Sequence, residues 1–148
     1  MPRTALILLL VATLLPACSE QARLAREIGD MDQATALQRA ADVQKQGMDA
    51  YGSVEDEASA QTAAATLDLC AYQLEQLADR FRTLGAPSAQ MQIDVLGDNF
   101  GGLLSSGLGA LGSGLKLMGQ PKLLAILDPA YKRFEAATDE LNGVLEGQ

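Results

Sequence analysis

The chain has 148 residues, with 11 Lys or Arg against 19 Asp or Glu, so its net charge is −8. A surface that binds nucleic acid needs clustered basic side chains, and an acidic chain has little electrostatic attraction for anionic lipid. Histidine is absent, which removes the commonest general base near neutral pH and the commonest metal ligand. We therefore expect no nucleic-acid partner, no metal, no cofactor and no enzymatic activity.

The first 17 residues have the features of a signal peptide. Arg3 gives a positive start, and residues 4–15 form an uncharged apolar run that is too short to span a bilayer as a helix. The run ends at Leu15-Pro16-Ala17-Cys18, with leucine three positions before the cysteine and alanine directly before it. This segment resembles the lipobox of bacterial lipoproteins. The alternative is an ordinary leader with an incidental cysteine, but Leu15-Pro16-Ala17 is a poor A-x-A cleavage site.

The lipobox resemblance implies removal of residues 1–17 and acylation of Cys18, with palmitate among its acyl chains. Residues 18–148 would then be one lipid-anchored domain outside the cytoplasm. Several acyl chains on one cysteine hold firmly, whereas a single chain is marginal. Ser19 after the cysteine is compatible, in this class, with transport to the outer membrane, so we expect the domain on its periplasmic face.

Hydrophobic spacing predicts a first helix from Ser19 to Gln46, extending at most to Tyr51. Its apolar residues recur at three- and four-residue steps: Leu24, Ile28, Met31, Ala34, Leu37 and Ala41. Gly52 then ends the helix.

A second helix is predicted from Ser53, as N-cap, to Gly85 and Pro87, which stop it. Its apolar stripe steps by four and three residues alternately: Ala63, Leu67, Cys70, Leu74, Leu77, Phe81 and Leu84. Such a narrow stripe is typical of a helix packed between other helices. Cys70 lies on it, and we interpret this thiol as a small core hydrophobe rather than a reactive group.

The third segment, residues 88–119, is unusual because it has no charge from Asn99 to Leu115 and eight glycines from Gly97 onward. In an isolated helix, eight glycines would be roughly 8 kcal/mol less favourable than alanines. The segment is therefore helical only if close packing compensates, and otherwise partly irregular. Small residues recur at every fourth position along two tracks: Gly97, Gly101, Ser105, Gly109 and Ser113 on the first, and Gly102, Ser106, Ala110 and Gly114 on the second.

The fourth segment starts at Gln120-Pro121, and we expect an interruption at Asp128-Pro129, where Asp128 would cap a restarted helix. Its apolar stripe again alternates steps of four and three: Leu127, Tyr131, Phe134, Thr138, Leu141 and Leu145. Helical segments joined by short connections predict an all-α fold, an antiparallel bundle of three to four helices.

Two formal motifs fall in the glycine-rich segment. Residues 107–112 match G-x-G-x-x-G, but no strand precedes them, so we expect no nucleotide binding. Residues 113–116 match S-x-x-K, yet the accompanying S-D-N and K-T-G elements of penicillin-binding enzymes are absent from the sequence. Both matches are interpreted as consequences of composition.

These observations favour a non-catalytic lipoprotein that acts as an envelope scaffold or protein-binding module. One alternative is an immunity-type inhibitor of an antibacterial toxin, by analogy with small, acidic, tethered inhibitors. The other starts from residues 97–114, which resemble the glycine-zipper helices of envelope proteins. That resemblance implies contact with lipid, with a partner helix or with another copy of the chain, as opposed to tight packing inside the bundle.

Overall fold

The computed structural model describes residues 19–147, so the leader and the predicted acylation site at Cys18 lie outside the described residues. The protein is an all-α bundle, as the sequence predicts, and residues 19–147 contain no strand. Helix α1 covers residues 19–29. The other helices are α2 (Gln33–Gly52), α3 (Glu57–Leu84), α4 (Ala89–Leu117) and α5 (Pro121–Leu145).

The first predicted helix is in fact two helices, separated by a turn at residues 30–32. Asp32 caps α2 because its carboxylate accepts a hydrogen bond from the Thr35 amide at 2.8 Å. The Arg80 side chain of α3 donates to the Met31 carbonyl at 2.7 and 2.9 Å. The prediction of one continuous helix was wrong because these polar contacts fix a turn that the apolar spacing does not reveal.

Helix α3 starts later than predicted, since its N-cap is Asp56 rather than Ser53. Asp56 and Ser59 form a reciprocal capping box, in which each backbone N–H donates to the other side chain at 2.8–2.9 Å. The hydrogen bonds from Ser59 hold the pKa of the Asp56 carboxyl below its ordinary value. Ser53 instead ends α2, where its hydroxyl donates to the Ala50 carbonyl at 2.8 Å.

Helix α5 runs without a break through Pro129, so the predicted interruption was also wrong. A proline inside a helix removes one backbone hydrogen bond, at a cost of about 3 kcal/mol. Leu127 and Ala130 are both buried beside it, which favours the continuous helix. The Asp128 carboxylate pairs with Lys132 at 2.7 Å instead of capping a new helix.

Helices α2 and α3 form an antiparallel hairpin. Gln33 at the start of α2 donates to the carbonyl of Gly85 just after α3, and Arg39 one turn and a half later donates to Gln73. The centre of the core comes from α3, as its apolar stripe predicts. Its buried members are all 3 % exposed or less: Ala63, Leu67, Cys70, Leu74, Leu77 and Phe81.

Helix α4 lies beside α2 and parallel to it. The Asn99 side chain donates to Gln38 at 2.9 Å, and further along the Ser113 hydroxyl donates to the Gly52 carbonyl at 2.7 Å. Consecutive helices are antiparallel, but this neighbouring pair is not consecutive in the chain.

Helix α5 lies beside α3, again in parallel. Arg133 makes a two-pronged hydrogen bond to Glu75 at 3.0 and 3.1 Å, and Arg82 donates to Glu140 at 2.5 Å. Because α4 and α5 touch each other only sparsely, the helices follow the spatial order α4, α2, α3, α5. The bundle is therefore open between α4 and α5.

The Phe134 side chain of α5 reaches across to α2, where its ring lies over Gly47. A Cβ atom at this position would overlap the ring. Gly143, by contrast, has nothing within 4 Å of the position that its Cβ would take.

We predict that Gly47→Val lowers the free energy of unfolding by about 1–3 kcal/mol, because the ring must move out of its place in the core. Thermal and urea unfolding of the full chain measure this change. Gly143→Val is the matched control and should be within ~0.5 kcal/mol of the wild type. Equal stability of the two variants would contradict the contact.

Candidate functional site

The open side of the bundle is a groove of about 790 Å³, bounded by α4 and α5 with α2 as its floor. Residues 118–120 connect α4 to α5 at one end. This volume is within the usual range of ligand sites, about 300–1,000 Å³.

Apolar and aromatic side chains line most of the groove. Gly47, Met48 and Tyr51 come from α2, and Tyr131 and Phe134 from α5. The leucines of α4 form the opposite wall: Leu103, Leu104, Leu108, Leu111 and Leu115. The groove can therefore receive an apolar ligand or the apolar face of a helix.

Two tyrosines meet at the bottom of the groove. The rings of Tyr51 and Tyr131 have their centroids 4.7 Å apart and are tilted by 38°. Burial raises the pKa of both hydroxyls, so they stay protonated in the physiological range. The polar edge of the groove lies on α5 and consists of Glu135, Thr138 and Asp139.

The outer face of α4 presents a row of large apolar side chains to solvent, which we call the α4 ridge: Ile93, Phe100, Leu104, Leu108, Leu111, Leu115 and Met118. Each is between 53 % and 72 % exposed. Contiguous apolar surface of this kind marks a site of interaction with protein, ligand or membrane. Part of the ridge is also the outer lip of the groove.

The second small-residue track faces α2. Ser106 is buried, and the Gly102 and Gly114 positions approach the Lys45 and Tyr51 side chains. At Ala110 the two backbones come close, since a Cβ on Gly52 would lie 3.6 Å from the Ala110 nitrogen. This track packs inside the bundle, which is how α4 stays helical despite its glycines.

The first track behaves differently. Gly97, Gly101, Ser105 and Gly109 are exposed on the outer side of α4, and only Ser113 is buried. The structure therefore brings the predicted residues together on one helix but divides them between an inner face against α2 and an outer face in solvent.

The described residues have few titratable side chains at the groove. Within residues 19–147 there is no group of three Cys, Asp or Glu side chains placed to hold a metal ion. The titratable side chains that line the groove are Tyr51, Tyr131, Glu135 and Asp139. None of the helices that the structure describes combines the length and hydrophobicity needed to cross a bilayer.

Cys70 lies in the core between α2 and α3, away from the groove, as its position in the stripe predicts. It is fully buried, and desolvation raises the pKa of its thiol to about 11. Next to it the Arg39 guanidinium donates to the buried Gln73 side chain at 2.7 Å. The thiolate is the reactive form of cysteine, so this residue is inert in the folded protein.

We predict that a thiol reagent at pH 8 leaves Cys70 unmodified in the native protein and modifies it within minutes in urea. Mass spectrometry of the labelled full chain measures the extent. Full modification under native conditions would show that the region between α2 and α3 opens readily.

Sequence reasoning missed the α4 ridge, because the apolar spacing of this segment does not show which of its apolar residues face the bundle. The leucines of this segment were a signal that could have revealed the ridge. If the small residues of a helix pack against its neighbour, its large residues must lie on another face. Helix α4 thus has two apolar faces, and only one of them can be buried against α2.

Comparison with known proteins leaves this site to be judged by its own geometry. No family model matches the chain, and no curated protein or solved structure is significantly similar to it.

Proposed function

We propose that the protein is a non-catalytic lipoprotein, anchored by acyl chains on Cys18 to the periplasmic face of a bacterial outer membrane. It serves there as a scaffold that binds an envelope protein through the α4 ridge and the adjoining groove. The observation that carries this proposal is the ridge, a row of seven large apolar side chains left in solvent on one helix.

The shape of the site supports a protein partner. The groove follows α4 and α5 and is apolar except at its α5 edge, which suits the apolar face of an amphipathic helix. Glu135 and Asp139 at that edge favour a partner with basic side chains beside its apolar face. Removing the ridge from water on binding supplies the driving force, since each large apolar side chain contributes about 1.5–3 kcal/mol when fully buried.

The position of α1 supports a partner other than the bilayer itself. Helix α1 lies against α3, where the Tyr72 hydroxyl donates to the Gln21 carbonyl at 3.0 Å, and its Leu24 and Ile28 are buried. The start of α1, the first part of the chain that the structure describes, therefore lies beside α3. The ridge belongs to α4, which packs on α2 and has little contact with α3. The start of α1 thus lies beside a helix that is not a neighbour of α4.

We predict that Cys18→Ser abolishes acylation, so the protein loses the mass of the acyl chains, keeps the mass of the uncleaved leader and is held less firmly in the membrane fraction. Fractionation with intact-mass measurement on the full chain tests this. An unchanged mass with continued membrane association would contradict the proposed anchor, while the fold described for residues 19–147 would stand.

A photo-reactive amino acid at Leu108 tests the docking surface in living cells. We predict a discrete protein adduct from this position and none from Ala136, which is exposed on α5 outside the groove. Adducts to phospholipid alone, or equal adducts from both positions, would contradict a protein-binding ridge.

A further inference from the structure

We propose that the partner on the α4 ridge is a second copy of this chain, whose own α4 packs against it in antiparallel orientation. This inference rests on the proposed docking function of the ridge and specifies what docks there. Two properties of α4 support it, namely the placement of its charges and the shape of its outer face.

Charges lie only near the two ends of the exposed face of α4. Asp94 and Asp98 precede the uncharged stretch from 99 to 115, and Lys116 follows it. Lys116 comes 18 positions after Asp98, which is five full turns at 3.6 residues per turn, so the two lie on the same flank of the helix. All three side chains are exposed.

An antiparallel pair related by a two-fold axis brings the same flank of both helices together. With the axis near residues 105–106, Lys116 of each copy lies between Asp94 and Asp98 of the other. Two sets of opposite charges then close the two ends of the interface, and the helix dipoles also oppose. A parallel pair would instead place the acidic ends side by side, so the charges favour the antiparallel arrangement.

The shape of the outer face is self-complementary as well. On the same flank as the charges, Gly97, Gly101 and Gly112 have open space where a Cβ would be, and Ser105 is exposed among them. They leave a shallow channel beside the ridge. Around the two-fold axis the channel of one copy faces the channel of the other, so the small residues let the two helices approach closely, and the two ridges meet along one side of the contact.

The ridge alone supplies more than half of the area that a stable interface needs. At ~120 Å² for a fully exposed large side chain, the ridge offers on the order of 500 Å² per copy. A stable interface of standard size buries about 800 Å² per partner. The channel and the charged ends, along a helix of about 43 Å, supply the remainder.

Charge reversal in the full-length acylated protein tests the pairing. Residue 104 lies near the proposed axis, so a short thiol–thiol crosslinker should join two copies of the Leu104→Cys variant in membranes. The wild type, whose Cys70 is buried, is the control for crosslinking without the introduced cysteine. Adding Lys116→Asp to the Leu104→Cys variant should reduce the dimer roughly tenfold or more, because it places like charges together. Combining it with Asp94→Lys and Asp98→Lys should restore the dimer. The matched control Lys122→Asp, an exposed lysine on α5, should change nothing.

Orientation is tested by two further cysteines. Ile93→Cys and Met118→Cys should crosslink to each other when the two variants are coexpressed, whereas Ile93→Cys alone should give no dimer. A dimer of Ile93→Cys alone, or failure of the charge-restored variant to recover, would overturn the antiparallel pairing.

If Leu104→Cys gives no dimer while Leu108 yields adducts to a different protein, self-association is refuted and the docking function is retained. Adducts to phospholipid alone would overturn both.

Discussion

The close approach of α4 to α2 is the contact on which the rest of the structure depends. Ser106, Ala110 and the glycines of the second track are small enough for the two helices to approach closely, and at Gly52 and Ala110 the two backbones meet. That packing uses the small residues of a helix that is apolar on nearly every side. The leucines are then left facing the groove and the solvent. A helix that packs through its small residues must expose its large ones.

The same contact explains why the bundle is open on one side. Helix α4 is held by α2, and α5 is held by α3 through the ion pairs of Arg133 with Asp68 and Glu75. Helices α4 and α5 therefore each have their own partner in the α2–α3 hairpin, so the two have little contact with each other. The groove lies where a compact four-helix bundle would have its fourth interface, and its apolar walls are the surfaces that such an interface would have buried.

Much of the fold could be predicted from the sequence, because apolar spacing controls burial. The stripe of α3 from Ala63 to Phe81 is buried throughout, and Leu127, Phe134 and Leu141 are buried on α5 as predicted. Helix ends were less predictable, since they depend on long-range contacts. The turn before α2 needs Arg80, which lies 49 residues from the carbonyl that it binds. Spacing likewise could not show which face of α4 is buried, because both faces are apolar and only the position of α2 decides between them.

The central claim is that α4 packs against α2 through its small residues. The most direct measurement compares the unfolding of two substitutions on α4, each made in a chain that also carries Lys116→Asp so that copies are not expected to associate. Ser106→Leu places a large side chain between α4 and α2, and Leu108→Ser removes one from the exposed ridge. If the small face of α4 is the packed one, Ser106→Leu lowers the unfolding midpoint by several degrees, about 1–3 kcal/mol, and Leu108→Ser leaves it within ~0.5 kcal/mol. The opposite result, with Leu108→Ser the destabilising change, would mean that the ridge is core and that the surface described for it does not exist.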